Sequence, residues 1–330
     1  MIWVHKGKPE LILAPMEGVT DAPMRAWMGE WGGFSFCVSE FLRISQDLLP
    51  AKAYLAHVPE AKEEWRARGL PVALQLLGGD AELLARSALR GVELGAPSID
   101  LNFGCPAPTV NRHDGGATLL KFPDRIESIV RSVRSAVEPH VPVSAKLRLG
   151  WQSIEDIHQN AQAAWRGGAD WITIHARTRM QAYQPPVFWK KIREVRSEVG
   201  CPVVANGDIW TREDFLRCRE ETEAEHFMLG RGALADPSLP HFVAQELGLP
   251  VRQEVRERFS VRNPEHWLRV LPRFAELCGD DRYALNRSKQ WLKLACYGES
   301  PDWFQEFKRT QSFAEAIEVL ARLSQSSDLR

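Results

Sequence analysis

The stretch Asp100-Leu101-Asn102-Phe103-Gly104-Cys105-Pro106 sets a cysteine between a glycine and a proline. A thiol with an ordinary pKa of about 8.5 is mostly protonated near neutral pH and can act as a general acid; a neighbouring cation that lowered the value would make it a nucleophile. Lys146, Arg148 and His175 are the cationic groups in or at the end of apolar runs, and Gln75 interrupts another such run, where a buried amide must find partners. Farther along, Asn206-Gly207-Asp208 and Gly230-Arg231-Gly232 combine glycines, which let backbone N–H groups approach an anion, with an arginine able to pair with phosphate. The plain alternatives are that Cys105 is a small packed side chain and that strand ends are polar simply because they meet water.

Something has to bring these residues together. Short apolar, β-rich runs occur at Leu11–Ala14, Phe36–Val38, Val72–Leu76, Ser98–Leu101, Val143–Leu147, Trp171–Ile174, Pro202–Ala205 and His226–Leu229. Segments with helical spacing lie between them, for example Ala81–Leu94 and Pro123–Val137. Apolar strands alternating with helices read as a parallel sheet covered on its outer face, and eight of them favour a closed (β/α)8 TIM barrel. A doubly wound open sheet is the rival, but no G-x-G-x-x-G or P-loop is present. In a barrel, the C-terminal strand ends converge, and those ends carry the candidate residues together with Met16-Glu17, Ser39-Glu40 and Arg177. From about Pro250 the pattern is purely helical, near 251–259, 264–278, 281–297 and 313–324. The expected organisation is therefore α/β: a catalytic barrel over 1–245 and an all-α C-terminal domain over 250–330.

Composition narrows the class. The 330 residues carry 42 Lys+Arg and 43 Asp+Glu, a net charge of −1, with 44% hydrophobic residues, which excludes intrinsic disorder and disfavours a nucleic-acid binder at first sight. Counted by segment, residues 1–249 hold 28 basic and 31 acidic residues and residues 250–330 hold 14 and 12, so the basic excess sits in the helical part. Met1–Glu10 lacks the apolar core of a signal peptide, and no apolar run approaches the roughly 18 residues of a membrane span; a cytoplasmic protein is expected. Six scattered cysteines without a C-x-x-C pair indicate neither a metal site nor a disulfide framework.

Seven segments, in order, carry a resemblance: L-A-P-M-E-G (13–18), V-A-L-Q-L-L-G (72–78), D-L-N-F-G-C-P (100–106), K-L-R-L-G-W (146–151), I-H-A-R-T (174–178), V-A-N-G-D-I (204–209) and L-G-R-G-A-L (229–234). Together they closely resemble the tRNA-dihydrouridine synthases. A-P-M-E-G, S-E-F-L-R at 39–43, G-G-A-T-L-L-K at 115–121 and R-S-K-Q-W-L at 287–292 resemble the bacterial C-type branch, which acts on uridine 16 of tRNA.

The resemblance implies an FMN enzyme that takes electrons from NADPH or NADH and reduces the C5–C6 bond of a D-loop uridine. It matches Pro15, Met16 and Glu17 to the segment along the flavin, Gln75 and Lys146 to groups bonding its ring, and His175 to a cofactor contact. Asn206, Gly207, Asp208, Gly230 and Arg231 match phosphate and ribityl contacts, and Cys105 matches the proton donor to C5. With the uridine extruded from tRNA into the barrel mouth, Asn102 either reads the uracil edge or orders its own loop. Arg148 and Tyr183 either hold the base or serve packing and ion pairing. On the helix at 281–297, Arg287 and Lys289 are expected on the face away from the core, and the R-S-K-Q-W-L match makes them tRNA contacts; Arg43, after strand two, is matched likewise. A monomer without metal is expected. Rival readings are a synthase of different position specificity, an FMN barrel reductase of a free pyrimidine, a Schiff-base aldolase using Lys146, and a non-catalytic tRNA-binding protein.

Overall fold

In the computed structural model, which describes residues 2–62, 69–108, 114–251, 259–296 and 300–327, the eight apolar runs pair side by side as parallel strands. They are β1 (Leu11–Leu13), β2 (Phe36–Arg43), β3 (Val72–Leu77), β4 (Ile99–Phe103), β5 (Val143–Arg148), β6 (Trp171–His175), β7 (Val203–Asn206) and β8 (His226–Leu229). Each bonds the next and β8 returns to β1, closing the barrel and leaving no sheet edge. The runs are nearly all apolar because both faces are buried: Leu11 and Leu13 join the large core under the helices, whereas Ile12 packs inside the barrel with Phe36, Val38, Ala73, Trp171 and Val204. The twofold alternation of a strand then decides which polar residues point inward. Gln75, Asp100 and Asn102, Lys146 and Arg148, His175 and Asn206 share the inner face with those residues and lie nearer the C-terminal ends, so an apolar floor carries a polar upper layer.

Among the described residues, seven outer helices pack around the sheet, and three of them carry a side-chain N-cap. They are α1 (Ala22–Trp31), α2 (Ala51–His57), α3 (Ala81–Glu93), α4 (Pro123–Ala136), α5 (Asp156–Arg166), α6 (Lys190–Glu198) and α7 (Arg212–Thr222). Asp21 caps α1, Asp80 caps α3, and Thr211 with Asp214 forms a capping box on α7. After β8 come α8 (Arg231–Ala235) and α9 (Leu239–Glu246), then α10 (Pro264–Cys278), α11 (Asp281–Ala295), α12 (Phe304–Arg309) and α13 (Phe313–Ser327). Gly279, in the left-handed region at φ 69°, ends α10, and Asp280 caps α11 one residue later.

Two expectations change. Strand two does not end at Val38 but runs to Arg43, with a register shift between Val38 and Phe41. Ser39 explains the continuation: its hydroxyl donates to Glu40 O (2.7 Å) and accepts from Gln75 N–H (3.0 Å), so a side chain replaces a ladder group at the bulge. Helix α12 is too short to write a periodic signal into the sequence, and most of the helix expected at 251–259 lies outside the described residues. No helix among the described residues is long and apolar enough to cross a membrane.

Trp291 makes one of the contacts that fix the C-terminal helices to the barrel. It is 1% exposed, meets Trp27, Trp267 and Phe274 edge to face at 4.7–5.3 Å, and donates its indole N–H to Leu234 O at 3.0 Å. Trp291→Ala should lower unfolding stability by about 3–5 kcal/mol, the usual range for truncating a fully buried large aromatic; urea midpoints at constant m-value check it.

Candidate active site at the barrel mouth

The upper layer of the barrel is organised by one carboxylate. Asp100, 1% exposed, accepts from Ser144 Oγ (2.5 Å) and from Gln75 Nε2 (2.7 Å). With its amide nitrogen so engaged, Gln75 turns its oxygen to Asn102 Nδ2 (2.8 Å). Asn102 in turn offers Oδ1 to the backbone N–H groups of Gly104 and Cys105, both at 2.9 Å. This Asx turn folds the chain back at the end of β4 and lifts Cys105 over the barrel mouth. Asn102 thus orders its own loop, while still facing the cavity.

The cavity there is about 750 Å³, the size of a small-molecule or cofactor site. Pro15, Met16, Glu17, Gln75, Asn102, Cys105, Lys146, Arg148, His175, Tyr183, Asn206, Gly207, Asp208, Gly230 and Arg231 all line it. The residues expected around the mouth therefore do converge on one cavity, from every side. Lys146, enclosed except where it meets the cavity, donates to Asn206 Oδ1 at 3.0 Å, and Asn206 donates to Met228 O at 2.8 Å, so an amide on β7, itself tied to β8, fixes the β5 lysine across the barrel interior. Burial, helped by the Arg148 charge, lowers the Lys146 pKa to about 8. His175 is held well below its ordinary value by burial and by Arg148 and Lys146, so its ring is neutral at neutral pH, and its Nδ1 is buried with no protein partner. Arg148 is 3% exposed and donates to Gly104 O (2.9 Å), Thr178 O (3.2 Å) and Ala182 O (2.8 Å), pinning the loops after β4 and β6. Its guanidinium also lies 5.2 Å from the Tyr183 ring.

On the far wall Gly207, at φ 111°, approaches so closely that an added Cβ would sit 3.3 Å from Ala176 N. Asp208 turns its carboxylate to the buried Arg177, with Arg231 3.6 Å away, so its own charge is compensated within the wall. Arg231 is sandwiched between Tyr183 (4.3 Å) and Trp210 (4.7 Å). Trp210, Arg179 and Met180 also line the cavity and escape a reading of the sequence alone, though each lies within two residues of the end of one of the seven motif segments. Asp100 escapes it too; its position two residues before Asn102 on a strand is the signal that places it on the same inner face.

The Cys105 thiol is held in its protonated form. Burial pushes the Cys105 pKa up by more than the Ala107 backbone, Arg148 and Arg43 bring it down, so neighbouring cations do not make it a thiolate. Arg43 stands at the end of β2, not in the following loop, and does not line the cavity. Arg287 and Lys289 correct a further expectation. Arg287 is 7% exposed and donates to Gly18 O and Val19 O, and Lys289 Nζ donates to Thr310 O. Helix α11 is covered on more than one side, so a single apolar face underestimates what is buried, and the guanidinium expected toward solvent and tRNA is enclosed.

A parallel eight-stranded barrel with cations, a protonated thiol and glycine-lined turns at its C-terminal mouth defines a barrel enzyme whose cavity suits an anionic ligand. Residues 12–322 match the profile of the dihydrouridine synthase (Dus) family, and the chain belongs to that family, which makes it an oxidoreductase. It is 40% identical over 326 residues to the tRNA-dihydrouridine(16) synthase of Pseudomonas putida (97% of this chain, 94% of that one). It is also 42% identical over 295 residues to the protein of that name from Neisseria meningitidis (88% and 86%). Among solved structures, histamine dehydrogenase from Rhizobium sp. 4-9 shares the fold, with a TM-score of 0.52 at 13% identity over 72% of this chain and 46% of that one.

The raised pKa of Asp100, about 6 against 3.8, arises from burial that its two donors only partly offset. The folded protein then binds the extra proton between pH 4 and 6, so stability is greatest below that window and falls as pH rises through it, by on the order of 3 kcal/mol in total. Asp100→Asn should flatten that part of the stability profile, as measured by urea midpoints from pH 4 to 7.

Proposed function

We propose that the chain is an FMN-dependent tRNA-dihydrouridine synthase that reduces uridine 16 of the tRNA D-loop, with NADPH as electron donor. The observation that carries the reading is a protonated thiol held by an Asx turn over a cavity walled by Lys146, Arg148 and a neutral His175. The relatives named tRNA-dihydrouridine(16) synthase supply the substrate and position.

The residues present suit a flavin phosphate ester. The orphaned Nδ1 of His175 needs a polar partner, Gly207 adds no side chain against that ring, and Arg231 brings a further cation to the cavity. Lys146, Gln75 and His175 would hold the ring system, and Asn206, Gly207, Gly230 and Arg231 the ribityl phosphate. When bound, FMN supplies the hydride that adds to C6 of the uracil. Cys105 then gives its Sγ proton to C5, the S–H bond breaking as the C5–H bond forms, and the thiolate left behind is stabilised by Arg148 until solvent returns a proton. Arg148 and Tyr183 stand at the rim where an extruded base would enter. The barrel over 1–245 would carry the chemistry and the helices over 250–330, with Arg43, the tRNA, in a monomeric cytoplasmic enzyme.

Cys105→Ala should leave FMN bound and reducible by NADPH but slow uridine reduction roughly 10²–10⁴-fold, the range for losing a general acid; normal turnover on tRNA would remove Cys105 from the mechanism. Position is tested separately by mapping dihydrouridine in tRNA from cells lacking the gene, where loss at 16 is expected. Since Lys146 loses its proton near pH 8 in the flavin-free protein, FMN affinity should weaken above that pH, approaching tenfold per unit. Lys146→Met should bind more weakly at pH 7 and show no such limb in fluorescence titrations.

A further inference from the structure

The loop after β1 supplies Pro15, Met16, Glu17 and Val19 to the cavity, yet much of what fixes that loop comes from α11, roughly 270 residues away. The Arg287 guanidinium reaches Gly18 O through Nη1 at 2.7 Å and Val19 O through Nη2, and its Nε lies 2.9 Å from Asp21 Oδ2. Gln290 donates to the same Gly18 carbonyl at 2.8 Å and accepts from Arg287, while Tyr283 donates its hydroxyl to Asp21. Gly18 stands in the left-handed region at φ 70°, so the turn that exposes these carbonyls suits glycine. The same helix places Leu294 in the cavity wall and, through Trp291, holds the carbonyl of Leu234, another wall residue.

We infer that α11 is a structural part of the cofactor pocket and that Arg287 is its positioning residue: by bonding two successive carbonyls and forming an ion pair with Asp21 it sets the 15–19 wall against which the flavin rests. This rests on the FMN reading proposed for the site. The planar fork of arginine can serve both carbonyls and the carboxylate at once, which lysine cannot.

The test compares FMN dissociation constants at pH 7, read by flavin fluorescence, for the full chain and three variants. Arg287→Met is expected to weaken FMN binding at least about tenfold, Arg287→Lys to recover part of that, and Arg273→Ala to leave it unchanged. Arg273 is the control because it ties α10 to α1 through Glu30, with Nε and Nη2 at 2.7 and 2.6 Å from its oxygens, away from the loop. Unchanged affinity in Arg287→Met overturns the inference. So does an equal loss in Arg273→Ala, which would mean only that the helices had loosened. Where Arg287→Met fails to fold, Gln290→Ala removes one of the two bonds to Gly18 O and is expected to weaken FMN several-fold. If the unaltered protein binds no FMN, the functional reading fails. Amide exchange at 16–20 still decides the clamp in that case: faster exchange there in Arg287→Met, with none in Arg273→Ala, supports it, and no difference overturns it.

Discussion

Asp100 is closed inside the barrel with two donors at hand, Ser144 Oγ and Gln75 Nε2, and an ionised carboxylate in that position can only accept. This sets the direction of the bonds that lead from it to Cys105. Gln75 must present its nitrogen downward and its oxygen upward, Asn102 must present its nitrogen to that oxygen, and only then is Asn102 Oδ1 left to gather the two amides that turn the chain at Cys105. A neutral residue at 100 would leave the amide of Gln75 free to flip, and the turn carrying the thiol would lose its single specified arrangement. Directionality starts at a group too deep to touch any ligand.

Around this relay the charges are graded by depth and partner. Lys146, held by an amide rather than a carboxylate, keeps its charge uncompensated by contact, and its burial shows as a lowered pKa. Arg177 and Arg231 share Asp208, which leaves the far wall with excess positive charge. His175, among four cations, stays neutral, and the thiol keeps its proton. An anion entering the cavity would meet Lys146, Arg148 and Arg231 beside a neutral imidazole, a field already positive before any ligand arrives.

How much of this is legible in the chain depends on the range of the interaction. The eight strands are legible because double burial writes a continuous apolar run, and the site residues because strand ends converge in a closed barrel. Asp100 is marked by its twofold spacing from Asn102, but it sits inside a run that otherwise reads as core. The extension of β2 is hidden, since a serine hydroxyl stands in for the backbone at the bulge. Arg287 misleads because local periodicity sees one helix at a time, whereas the carbonyls that bury its guanidinium belong to a turn near the other end of the sequence.

That last separation has a consequence in time. The bond from Arg287 to Gly18 spans 269 positions, so it cannot exist until the ribosome has added those residues. At about 5–20 residues per second, the first loop of the barrel waits some tens of seconds for the helix that finishes it. All eight strands have been made by then, but the wall at 15–19 is completed only when α11 has followed them, and the site comes into being after the barrel that houses it.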